Sequence, residues 1–202
     1  MSKKLAKFFF GGGEKMRNDI IDYLQKEVKR RCQLPTNFFG MGCYYHIESV
    51  VNNAEILAKK YGADIEIVII AAWLHDIASV TDYNLYAEHH IYGTQIAEEI
   101  LQRFDYEEGR IQKVQKCILN HRGSVKNNKL TLEELCVADA DAISHFDNVP
   151  GLLYLAYVRR GLDIEEGKAF VKNKLERSFQ KLSDLSKEFY WDKYKTIMTI
   201  LE

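Results

Sequence analysis

An all-α, single-domain fold of about seven to nine helices is what this sequence predicts, and three observations carry that expectation. Only two prolines, Pro35 and Pro150, interrupt its 202 residues. Strand-like alternation is almost absent, whereas apolar residues recur at helical intervals of three and four. Two Thr/Asp-x-x-Glu patterns and short glycine-containing breaks punctuate the chain as helix starts and stops.

Taken in order, MSKKLAKFFFGGG reads as a frayed lead-in before a first helix over about Glu14–Arg31. CQLPTNFFGMG is an irregular loop rich in aromatics and glycine. The next helix aligns His46, Val50, Ala54, Leu57 and Tyr61 on one face. YGAD ends it, and Asp64 is placed to cap the apolar helix IEIVIIAAWL, which runs up to His75 and Asp76. NLYAEHHIYGTQIAEEILQRF is amphipathic through Ile96, Ile100 and Phe104. YEEGRIQKVQKCILNH follows with Ile111, Val114 and Ile118 inward, and RGSVKNNK is a polar loop.

Thr131 and Glu134 open a helix through LCVADADAISHF with a capping-box pattern, and Asp163 and Glu166 repeat it before a long helix towards Lys181. KEFYWDKYKTIMTIL closes the chain. Neither a repeat nor a long linker divides it. A motif-bearing core of about residues 40–148 is expected, with helices from 149–202 packed on it. The Leu/Phe stripe of KNKLERSFQKL suits either that packing or pairing with a second copy, so a homodimer is compatible with the sequence.

A formal net charge of -1 gives no reason to expect a nucleic-acid partner or a membrane surface, and 47% hydrophobic residues argue against disorder. Cys32, Cys43, Cys117 and Cys136 lie far apart without CxxC spacing. They read as reduced, mostly buried thiols of a cytoplasmic protein. The apolar part of the first thirteen residues is too short for a signal segment, and nothing later approaches a membrane span.

Chemistry gathers at the histidines. AAWLHDIASV sets His75 and Asp76 directly after a run ready for burial, where an unpartnered charge is costly. His46 opens an apolar helix face, His89 shares a face with Gly93, Ile96 and Ile100, and His121 ends an amphipathic helix. Asp139 and Asp141 interrupt a small apolar run in VADADAI. A divalent cation would compensate the buried carboxylates, and neutral imidazole is a good ligand for transition metals. His46, His75, Asp76 and an aspartate of the later helix could hold one ion. His89 and His121 could hold a second, with Asp76 bridging. Such a set leaves positions open for water and substrate.

The segments YYHIESVVNNAEILA, AAWLHDI, EHHIYGTQIAEEIL, CILNHRGS and CVADADAISHFD resemble the successive motifs of the HD-domain superfamily of metal-dependent phosphohydrolases. The similarity runs from about His46 to Phe146; the chain from Gly151 onwards carries no assignable motif. The resemblance implies that His46, His75, Asp76 and Asp141 bind one divalent metal (Mn, Fe, Co, Ni, Zn or Mg), and that His89 and His121 add a second. Its H-x-x-x-G pattern selects His89 over His90. Helical periodicity favours Asp139, which shares a face with Leu135 and Ile143, whereas the family pattern favours Asp141; a helix buried all round makes periodicity the weaker guide.

The activity implied is hydrolysis of a nucleotide or another small phosphorylated metabolite by metal-activated water, with Asp76 orienting or deprotonating that water. Arg122 and Lys126 are candidates for clamping phosphate, and the aromatics of NFFGMGCYYH for a pocket wall. Two other readings stay open: a di-iron oxygenase of the same superfamily, and a metal-binding sensor module without turnover.

Overall fold

The computed structural model describes residues 16–122 and 131–201, and among these every regular element is helical. The α-helices are α1 (Asn18–Cys32), α2 (Gly42–Tyr61), α3 (Ile65–Leu74), α4 (Ile77–Thr81), α5 (His89–Gln102), α6 (Glu108–Asn120), α7 (Leu132–Asp147), α8 (Val149–Tyr154), α9 (Ile164–Lys181) and α10 (Asp184–Ile200). Helices α4 and α8 span only five and six residues, so the others carry the architecture. A 3₁₀ turn over Tyr83–Glu88 leads into α5, and a π-helical turn over Leu155–Arg159 extends α8.

Helix α3 is the axis of the bundle. Every residue from Glu66 to Leu74 is buried, which is why its sequence shows no polar face. The Asp64 carboxylate caps it by accepting from the Ile67 amide at 3.2 Å. Glu66, buried in its first turn, is satisfied by the Tyr106 hydroxyl at 2.7 Å, the Arg17 amide at 2.7 Å and the Arg110 guanidinium at 3.0 Å. Helix α1 lays Ile20, Leu24, Val28 and Cys32 into the core. Helix α2 ends at Gly62, whose φ of +77° is the left-handed conformation that a C-cap demands.

Helices α2 and α7 form the most extensive pair in the molecule, and α5 packs along α6. From Glu134 to Phe146, α7 is buried almost without interruption. Its N-terminus is capped by Thr131, which accepts from the Glu134 amide. Helix α9 opens on a full capping box between Asp163 and Glu166 and buries Gly167, Val171, Leu175 and Ser178. Both α9 and α10 pack against α7.

The structure differs from the sequence reading in three places. Residues 83–88 form a tight 3₁₀ turn, so α5 begins at His89 itself. Residues 149–159, inside the 149–202 stretch expected to be helical but given no helix of their own, form α8 and its π-helical extension, Asn148 capping them by accepting from the Gly151 amide. The first helix starts at Asn18, with Glu14 outside the described residues. All four cysteines are free thiols, three of them buried. No helix among the described residues is long and apolar enough to cross a membrane.

Candidate metal centre

Five helices deliver the candidate ligands to one end of the bundle. His46 stands in the second turn of α2, His75 and Asp76 fill the break between α3 and α4, His89 opens α5, His121 follows the last residue of α6, and Asp141 lies in the middle of α7. They form two groups, His46 with His75 and Asp141, and Asp76 with His89 and His121; within each group the ligand atoms lie within 4.8 Å of one another. His46 Nε2 is 3.2 Å from Asp141 Oδ1. Asp76 links the groups: its Oδ2 lies 3.5 Å from His75 Nε2, and its Oδ1 lies 3.3 Å from His89 Nε2 and 3.9 Å from His121 Nε2.

The rings are oriented from behind by a repeated device. His75, His89 and His121 each donate from Nδ1 to the carbonyl three residues back, those of Ala72, Tyr86 and Ile118, at 2.7, 2.8 and 2.6 Å. A carbonyl only accepts, so each Nδ1 carries the proton and each Nε2 presents a lone pair to the centre. His75 Nε2 is fully buried and has no hydrogen-bond partner. An orphaned buried nitrogen beside two carboxylates is the arrangement that a divalent cation satisfies. The donor set therefore fits a metal.

Burial would raise the Asp76 carboxyl, but the surrounding His75, His89 and His121 hold it well below the usual carboxylate range. Burial opposes Asp141 in the same way, while Lys181 and His46 hold it well below. The Lys181 ammonium reaches Asp141 Oδ2 at 2.5 Å. Burial, followed by the proximity of His75, drops His121 to about 3. Its ring is neutral across the physiological range.

Asp139 and Asp141 part company. Asp141 faces His46, whereas Asp139 is fully buried and accepts from the Ser183 amide at 3.0 Å and from the Ser183 hydroxyl. Two residues apart on a helix, they point in nearly opposite directions. Periodicity favoured Asp139 because it too points inward, but towards Ser183 at the start of α10 and not towards His46. His90 belongs to neither group. Gly93 explains why the histidine one turn before it does: a Cβ there would meet Ile118 Cγ2 at 3.1 Å, so glycine lets α5 approach α6 and brings His89 to His121.

A cavity of about 880 Å³ opens over both groups. Phe39 and Tyr86 line one side, their ring centroids 5.2 Å apart, and Tyr86 stacks on His89 at 5.7 Å. Arg122 also lines the cavity, its guanidinium donating to the Ala87 carbonyl. Lys126 lies outside the described residues. Part of the lining carries no signal in the sequence: Lys174, Arg177 and Lys181, spaced three and four apart on α9, together with Arg160. His145, which no sequence motif marks, also lines the cavity. It is buried, 4.7 Å from the His46 ring between centroids, and its Nδ1 is 3.2 Å from the Ser178 hydroxyl. Its spacing of four from Asp141 was the available signal.

Residues 43–145 match the family described as HD domain. Ribonuclease Y of Rubrobacter xylanophilus is 29% identical over 106 residues, covering 52% of this chain and 19% of the relative. An uncharacterized protein of Clostridium beijerinckii is 30% identical over 91 residues, 43% of this chain and 58% of its own. The chain thus spans well under two thirds of the length of the curated relatives it matches. Among solved structures, Bacillus subtilis YpgQ superposes with a TM-score of 0.68 at 18% identity, covering 93% of this chain and 94% of that one; YpgQ in complex with ADP gives 0.66. A predicted HD superfamily hydrolase from an uncultured Thermotogales bacterium gives 0.53 at 21% identity, over 79% of this chain and 85% of that one. At these identities the likeness is one of fold.

Proposed function

The chain belongs to the HD-domain family, and we propose that it is a metal-dependent phosphohydrolase acting on a nucleotide or another small phosphorylated metabolite. One observation carries the reading: three histidines, each with Nδ1 committed to a backbone carbonyl, turn their Nε2 lone pairs towards Asp76 beneath a cavity walled by cations. His46, His75 and Asp141 would hold one divalent ion, and His89 and His121 a second, with Asp76 shared between them. When bound, such ions lower the pKa of a coordinated water and neutralise phosphate oxygens.

The chain's own residues supply the rest. Asp76, held ionised by its histidine neighbours, is a carboxylate suited to orienting a water and accepting its proton. Lys174, Arg177 and Arg122 all line the cavity and would engage phosphate oxygens there. The Phe39 ring, which lines the cavity beside Tyr86, offers a base or other planar group an apolar surface to pack against. The nucleotide reading draws support from the ADP complex of YpgQ, which shares the fold. The free thiols fit the reducing cytoplasm.

Elemental analysis of the purified protein, paired with phosphate release from a panel of nucleotides and phosphomonoesters under added divalent metals, tests the reading. Bound metal together with turnover, both lost in a His75→Ala/Asp76→Ala variant, is the expected result. A full complement of iron with oxygen uptake and no phosphate release would replace it with the oxygenase reading. Metal without either reaction would leave a sensor module.

A further inference from the structure

The two cysteines nearest the cavity face each other. Cys32 is the last residue of α1 and Cys43 lies in the first turn of α2, yet their Sγ atoms are 3.3 Å apart. Asn37, buried in the intervening loop, folds that loop back. Its side-chain amide donates to the Cys32 carbonyl at 2.8 Å, the Gly40 carbonyl at 3.2 Å and Cys43 Sγ at 3.3 Å, while its carbonyl accepts from the Phe39 amide at 3.0 Å. The sulfurs are thus held together by a built turn. Their access differs: Cys43 is half-buried and lines the cavity, whereas Cys32 is 1% exposed.

We propose that Cys43 and Cys32 form a peroxide-reactive pair, Cys43 as the attacking thiol and Cys32 as the resolving one. Cys43 sulfur attacks one oxygen of a hydroperoxide; the O–O bond breaks, the thiol proton leaves with the other oxygen as water or alcohol, and Cys43 becomes a sulfenic acid. Cys32 sulfur then attacks Cys43 sulfur; the S–O bond breaks, the hydroxyl leaves as water with the proton of the Cys32 thiol, and the disulfide forms. Two thiols are oxidised by two electrons and one hydroperoxide is reduced.

Hydrogen bonding with Cys32 holds the Cys43 thiol below its ordinary value, against the effect of burial and with help from Asn37. The same contact, together with burial, pushes Cys32 far up. The lowered value suits Cys43 to the attacking role. Disulfide closure brings the sulfurs to about 2 Å, which draws the start of α2 towards the end of α1, one helical turn before His46. The pair requires no particular reaction in the cavity and is independent of the phosphohydrolase reading.

The test is a thiol count on the purified full chain, denatured after brief exposure to near-stoichiometric hydrogen peroxide. The count should fall from four to two, return with dithiothreitol, and a peptide map should show Cys32 joined to Cys43. In Cys32→Ser, Cys43 should be trapped as a sulfenic acid by a 1,3-dione; Cys43→Ser should lose no thiol. Four thiols remaining in the unaltered protein, or a disulfide joining any other pair, would overturn the proposal. So would thiol loss in Cys43→Ser as fast as in the unaltered chain.

Discussion

The Nε2 atoms of His89 and His121 face each other across 3.2 Å. Each ring's proton is committed at Nδ1 to a backbone carbonyl, so in the neutral state two lone pairs meet head on. Only a cation relieves that opposition, either an added proton or a metal ion shared with Asp76. Metal binding and protonation therefore compete for the same nitrogens.

A pH dependence follows from His121. Burial and His75 depress it to about 3 in the folded chain, against an ordinary value of 6.5. The unfolded chain takes up a proton there first as pH falls. The stability contributed by the neutral ring is thus complete above about pH 6.5 and is lost progressively towards pH 3. His75 is shifted upwards and acts in the opposite sense, so the comparison must be made with a His121→Gln variant. Metal-stripped protein should lose stability on acidification more steeply than the variant, by up to about 1.4 kcal/mol per pH unit. Thermal melts between pH 4 and 7 check this; parallel curves for the two proteins would refute it.

The two aspartates of α7 should separate cleanly. Asp139→Ala removes the acceptor that fastens Ser183 at the start of α10 and should cost about 1–3 kcal/mol of stability, with bound metal retained. Asp141→Ala should lose metal from the His46 group. Metal content and denaturant midpoints of both variants decide the matter, and the reverse pattern would assign the ligand to Asp139.

Gly93→Ala should act at a distance from any ligand atom. The added methyl meets the Ile118 side chain at 3.1 Å; unless that side chain gives by a few tenths of an ångström, α5 moves off α6 and carries His89 away from His121. Loss of one bound metal equivalent out of two, with the fold intact by circular dichroism, is expected. Unchanged metal stoichiometry would show that the helices yield without moving the ring.

Lys174→Gln should weaken substrate binding at the cationic wall and leave metal content unchanged. An increase in KM of about tenfold, with a smaller change in kcat, is the expected pattern for a phosphate contact made in both ground and transition states. Phe39→Ala should instead alter the preference among nucleotides. A panel of bases at fixed metal concentration distinguishes the two effects.

Much of this was legible because helices announce themselves locally. Capping residues such as Asp64 and Asp163, and the apolar spacing of α1, α2 and α6, depend on neighbours three and four residues away. Candidate ligands at helix ends, such as His75 and His121, stand out as polar residues ending apolar faces. The π-helical turn after α8 and the 3₁₀ turn before α5 carry no comparable local signal.

The sequence by itself determined the all-α class, the family, and the order in which His46, His75, Asp76, His89, His121 and an aspartate of α7 come along the chain. Only the tertiary structure turned Asp141 towards His46 and Asp139 towards Ser183, brought Lys174, Arg177 and Lys181 to the cavity, moved His145 into its wall, and set Cys43 against Cys32. The reason is physical. Periodicity reports that a helix has an inner face, but in a helix buried all round, as α7 is, every face is inner. Which one meets the histidines and which meets another helix is fixed by long-range packing between segments far apart in the chain.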